Sequence, residues 1–126
     1  MTGSSARRAV LLVDHGSRLD AANEQLEEIA RRVRAREPSW IVHVAHLEIA
    51  QPDIPAGIAR CADDGATEIV VHPYFLGPGR HTTRDIPRIV EQARTAHPDV
   101  EVRVSEPLGV HDKIIDVVLE RISKSR

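Results

Sequence analysis

Four short apolar runs alternate with four segments of helical period along this chain, and that alternation limits the folds open to it. The first run, 9–13, is Ala9, Val10, Leu11, Leu12 and Val13 without a polar break. A strand reads this way when both of its faces are buried. Ala22, Leu26, Ile29, Ala30 and Val33 then recur at helical spacing until Pro38. Strands are expected at 41–45 and 68–71. A fourth, at 100–104, alternates apolar with polar and reads as a more exposed edge. Helices are expected around Ile54, Ile58, Cys61 and Ala62, ending near Gly65; around Ile86, Ile89, Val90 and Ala93, ending near His97; and around Ile114, Ile115, Val118, Leu119 and Ile122. Asp-Ile-Pro occurs at Asp53 and again at Asp85. Each copy predicts a helix start, with an aspartate cap and a proline whose missing N–H costs nothing in the first turn. The order is βαβαβαβα. Right-handed crossovers give an α/β fold, a four-stranded, mostly parallel sheet with helices on both faces in three flavodoxin-like layers.

With 126 residues the chain fits one domain, read as 9–126 behind a flexible N-terminus at 1–8. Hydrophobic residues are 41% and aromatics 2%, so the core must come from Val, Ile, Leu and Ala. Charge is nearly balanced, 17 basic against 19 acidic residues, which argues against a dedicated nucleic-acid binder. The single cysteine, Cys61, cannot form an internal disulfide or hold an iron–sulfur cluster of its own. It is expected to be buried as a small hydrophobe, compatible with a reducing cytoplasm. No run reaches the ~18 apolar residues of a membrane span, and the apolar run behind Arg7 and Arg8 is too short for a signal peptide.

In sheets of this kind, ligands bind beyond the carboxyl ends of the strands. The unusual polar residues fall there: His15, Ser17 and Arg18 after strand one, His46 and Glu48 after strand two, Arg80 and His81 after strand three, Glu106 and His111 after strand four. His15, Glu48 and His81 come from three different crossovers and are spaced evenly. Two imidazoles and a carboxylate suit a divalent first-row metal. Gly16 allows a tight turn, and Ser17 with the amides after Gly16 offers an anion cradle at a helix start. Phe75 and Leu76 are apolar where loops are usually polar, and so read as a pocket wall, a subunit interface or a loop folded on its own helix. His46 and His111 rank behind the three main ligands. His43, His72, His97 and His111 are not expected to be metal ligands, although His111 could face the cleft.

The motifs Val13-Asp14-His15-Gly16-Ser17-Arg18, Ala45-His46-Leu47-Glu48-Ile49-Ala50-Gln51-Pro52, Pro73-Tyr74-Phe75-Leu76, Gly79-Arg80-His81, Arg84-Asp85-Ile86-Pro87 and Pro107-Leu108-Gly109 stand in order over most of the chain. In these the sequence resembles the sirohydrochlorin chelatases of the short, single-domain CbiX/SirB type. The resemblance implies half of a class II chelatase fold, assembled as a homodimer in the cytoplasm. It implies insertion of Fe2+, Co2+ or Ni2+, as substrate and without ATP, into sirohydrochlorin for siroheme or cobalamin. It places the two active-site histidines on His15 and His81 and the acidic metal-site residue on Glu48. Arg18, Arg80 and Arg84 would then meet the carboxylates of the tetrapyrrole, while Phe75, Leu76 and Leu108 cover its ring. The chain has neither the cysteine cluster nor the histidine-rich tail that some relatives carry, and it departs from the common pattern in Gly77, where a bulky residue is usual, and in His72. Two other readings of the residues stay open: a non-catalytic metal or tetrapyrrole carrier, and a phosphate-handling hydrolase. The second lacks the arginine that histidine phosphatases need before the histidine, since Asp14 stands there.

Overall fold

Residues 6–79 and 84–125 are described in the computed structural model. The elements follow the expected order: β1 (Arg8–Asp14), α1 (Asp20–Arg36), β2 (Ile41–His46), α2 (Ile54–Asp63), β3 (Glu68–Pro73), α3 (Ile86–Ala96), β4 (Glu101–Val104) and α4 (Asp112–Ser123). All four strands are parallel, in the order β2-β1-β3-β4. β1 is therefore internal, which is why its apolar run is unbroken. It starts at Arg8 rather than Ala9: Arg8 stands opposite Glu68 in the β1–β3 ladder, and their side chains also form an ion pair.

Side chains alternate across the strands and feed two cores. Ala9, Leu11 and Val13 point to the face covered by α2 and α3, where they meet Ile58, Cys61, Ile69, Val71, Ile86 and Val90. Val10 and Leu12 point to the face covered by α1, against Leu26, Ala30, Val42 and Val44. Full burial of a Leu or Ile contributes about 2 kcal/mol. Gly57 lets α2 approach the sheet closely: a Cβ there would lie 2.7 Å from Leu11 Cδ1. Cys61 is fully buried, as its helical neighbours predict, and burial pushes its thiol up to about 12.

The two Asp-Ile-Pro motifs behave differently. Asp53 is extended and its Oδ1 accepts the Ala56 amide at 3.0 Å, a true cap. Asp85 is already helical and makes no side-chain cap bond to α3; one of its contacts is an ion pair with Arg88 at 3.2 Å. Arg84 and Asp85 already form a wide helical turn leading into α3, so Asp85 lacks the extended backbone that Asp53 has at the start of α2.

α4 is the outlier. None of its residues is buried, and it makes no substantial packing with the other elements. Ile115, Val117, Val118, Leu119 and Ile122 are all exposed. On the α1 side of the sheet, α1 covers β1 and β2, while Val70, His72 and Arg103 of β3 and β4 are only half buried. Among the described residues there is thus one helix that does not pack on the sheet and one half of a sheet face that no helix covers.

Candidate metal centre at the carboxyl rim

The strand order creates a crevice. β1 hands its chain to α1 on one face, and β3 hands its chain towards α3 on the other. Chains that part in this way leave a ligand site beyond the strand ends. His15 lies there, exposed, with its ring edge-on to Phe75 at 4.5 Å between centroids. Phe75 is half buried against the core of the α2–α3 face, so it is a fixed wall rather than a loose loop residue.

Glu48 is joined to His15 through the backbone. The Glu48 amide donates to the His15 carbonyl at 3.0 Å, and the Leu47 amide to the Asp14 carbonyl at 2.8 Å. These bonds continue the β1–β2 ladder past its end and bring both loops onto one rim. Gly16 makes the approach possible. Its φ is +89°, and a Cβ there would lie 1.8 Å from the Glu48 carbonyl oxygen. On the far side, the Leu108 amide donates to the Phe75 carbonyl at 3.0 Å. Leu108, Phe75, His15 and Glu48 therefore form a continuous series of neighbours drawn from the loops that follow all four strands.

An open cleft of about 500 Å³ lies between the β1 and β2 loops, lined by Ser17, Arg18, Asp20, Asn23, Glu24 and Gln51 among others. Arg18 shares it with two carboxylates, so the cleft is not a cationic pocket. Part of the anion cradle expected after Gly16 is taken up by the chain itself. The Gly16 amide donates to Asp14 Oδ1 at 3.0 Å, the Ser17 amide to Asn23 Oδ1 at 2.9 Å, and the Leu19 amide to Ser17 Oγ at 3.0 Å. Short polar side chains near helix starts compete for such amides, and here they have taken them.

Among the other expected site residues, Leu76 is 73% exposed, and Arg84 is exposed at the approach to α3. Arg80 and His81 lie outside the described residues. His46 is 3% exposed, and its Nδ1 lies 2.5 Å from Asp14 Oδ1. It sits behind the rim, on the α1 side, not at the mouth. His111 caps α4, its Nδ1 accepting the Lys113 amide at 3.1 Å. His43 pairs with Asp64 at 2.6 Å, and His72 Nδ1 bonds Ser105 Oγ at 2.8 Å. Burial holds His72 below its ordinary value. Asp14 was not expected at the site. Asp14 and His46 are 32 positions apart and each closes its strand, so they meet only once β1 and β2 are in register.

Comparison with known proteins agrees with this architecture. The CbiX family model matches residues 9–125. The chain is 38% identical over 113 residues to a chloroplastic sirohydrochlorin ferrochelatase of Arabidopsis thaliana, covering 90% of this chain and 50% of that protein. It is 34% identical over 137 residues to a sirohydrochlorin cobaltochelatase of Methanocaldococcus jannaschii, covering 90% of this chain and 96% of that one. The crystal structure of the sirohydrochlorin chelatase SirB from Bacillus subtilis subspecies spizizenii in complex with cobalt superposes with a TM-score of 0.86 at 27% identity, over 93% of this chain and 50% of that chain. The chain thus spans about half the length of the Arabidopsis protein and of SirB, and nearly all of the archaeal protein. With a family model spanning almost its whole length and this sheet topology, the chain belongs to the CbiX family.

Proposed function

We propose that this protein inserts Fe2+ or Co2+ into sirohydrochlorin, without ATP, and that His15, Glu48 and His81 hold the metal on its way in. The observation that carries the reading is the joined rim. An exposed imidazole and a carboxylate from two neighbouring crossovers are tied by the Glu48–His15 backbone bond, beside an aromatic wall. The relatives named as sirohydrochlorin ferro- and cobaltochelatases support the substrate.

The chemistry follows from the donors. A metal that must be handed on is better held by a few nitrogen and oxygen ligands with open positions than by a closed cage. Two pyrrole N–H protons leave as the metal enters, and a neutral imidazole is the natural acceptor near neutral pH. One ring nitrogen cannot hold metal and take a proton at once. Insertion therefore proceeds by ligand exchange, in which a histidine releases the metal as the macrocycle nitrogens replace it. Arg18, Arg80 and Arg84 pair with substrate carboxylates, and Phe75, Leu76 and Leu108 lie against the ring. With amides 16, 17 and 19 already bonded, the arginines carry this recognition without help from the turn.

The working unit in this reading is a cytoplasmic homodimer. Its support is α4, whose apolar face stays exposed with no substantial packing partner among the described residues, together with the half-buried face of β3 and β4. A helix of about 12 residues is marginal alone in water. A second copy can offer each surface what its own chain does not.

The test is anaerobic incubation with sirohydrochlorin and Fe2+, Co2+ or Ni2+ in turn, followed by visible absorption. Multiple turnovers with Fe2+ or Co2+ are expected. Metal binding without turnover would favour the carrier reading instead.

A further inference from the structure

Asp14 and His46 face each other at the last rung of the β1–β2 ladder. His46 is the one buried polar residue among those described. Its Nδ1 meets Asp14 Oδ1 at 2.5 Å, and the same oxygen accepts the Gly16 amide at 3.0 Å. One carboxylate oxygen thus binds the turn on the far side of His15 and also the strand end two residues before Glu48. The His46 backbone is held as well, its amide donating to the Pro52 carbonyl at 2.8 Å across the loop that carries Glu48.

A buried polar pair is a poor way to gain stability, because desolvation cancels most of the attraction and apolar side chains would pack as well. Apolar side chains could not, however, reach from β2 to a carboxylate that in turn holds the Gly16 amide. His15 is enclosed between Asp14, anchored by its side chain, and Gly16, anchored by its amide. Glu48 is set from the other strand through the same oxygen.

We infer that Asp14 and His46 are positioning residues that fix the His15 imidazole relative to the Glu48 carboxylate without touching the metal. The inference rests on the reading of His15 and Glu48 as metal-holding groups. Pairs of this kind behind a metal site alter affinity or activity by about ten- to a hundredfold.

The experiment compares wild type, His46→Leu, His46→Asn and Asp14→Asn by Co2+ titration, read from ligand-field absorption, and by insertion kinetics, with thermal midpoints recorded alongside. His46→Leu removes the donor. It should weaken Co2+ binding and lower kcat by about tenfold each, with KM for sirohydrochlorin nearly unchanged. His46→Asn places an amide N–H near the old Nδ1 and should restore most of both. A His46→Leu protein that melts earlier but binds and inserts Co2+ like wild type overturns the inference, as does a folded His46→Asn with no rescue. If His46→Leu does not fold, Asp14→Asn decides. It keeps an acceptor for Gly16 but loses the charge, so weakened Co2+ binding supports the pair and unchanged binding overturns it. Wild type that binds Co2+ but inserts none removes the chelatase activity and leaves the titration arm to judge the pair. Wild type that binds no Co2+ removes both.

Discussion

Gly16 and Glu48 are in backbone contact: the place where a Gly16 side chain would begin is 1.8 Å from the Glu48 carbonyl oxygen. Two loops from different crossovers meet there with no room for a methyl group, in a left-handed turn that a Cβ would also strain. Gly16→Ala should therefore cost about 2 kcal/mol of stability. It should also separate Glu48 from His15, so that Co2+ binding is lost before the fold is. Thermal melts and Co2+ titration on the same samples check both effects.

His15 and Glu48 are exposed, so removing them should spare the fold. His15→Ala and Glu48→Gln are each expected to lower metal insertion by about a hundredfold while shifting stability by less than about 0.5 kcal/mol. Single-turnover insertion and urea melts measure the two quantities. Near wild-type insertion in either variant would remove that residue from the metal site.

His72 gives a pH signature. Burial favours its neutral form in the folded chain, so just below the ordinary value of 6.5 the unfolded chain binds more protons than the folded one. Its contribution is complete above 6.5 and is lost as the pH falls from there through the lower folded value. His72→Asn, which can keep a bond to Ser105, should flatten that acid-side slope and leave stability above 6.5 little changed. Urea melts on both sides of 6.5 for the two proteins provide the comparison.

The twin Asp-Ile-Pro motifs differ in a measurable way. Asp53→Ala removes a side chain that caps Ala56 and should cost about 1 kcal/mol. Asp85→Ala removes no cap and should cost less. Urea midpoints of the two variants rank them; equal losses would contradict the difference in geometry.

The exposed face of α4 gives the test of assembly. Leu119→Asp puts a charge in the middle of that face and should convert a two-chain species into a single chain in sedimentation experiments. Wild type sedimenting as a single chain would contradict the homodimer.

What could be read in advance followed short-range rules. The unbroken run at β1 and the helical spacing of Ile54, Ile58 and Cys61 depend on local periodicity and burial, and both matched the structure. Tertiary choices did not show. Asp53 and Asp85 carry the same tripeptide, but only the chain entering α3 makes an extra turn. The amides of the Gly16 turn were open by pattern, but those of Gly16, Ser17 and Leu19 are bonded to Asp14, Asn23 and Ser17, whose side chains turn back onto the backbone. The Asp14–His46 pair exists only because β1 and β2 are in register, a fact outside any window of single-chain pattern. α4 read as an ordinary amphipathic helix; nothing in its spacing says that it stands off the body of its own chain.

Cys61 bears on which atoms a passing cation can meet. Its sulfur is sealed between α2 and the sheet and stays protonated throughout the range in which proteins work. It is the chain's one cysteine. A borderline-soft ion that reached the rim would therefore find no thiolate of Cys61 to trap it, and would meet the His15 imidazole and the Glu48 carboxylate, from which it could depart.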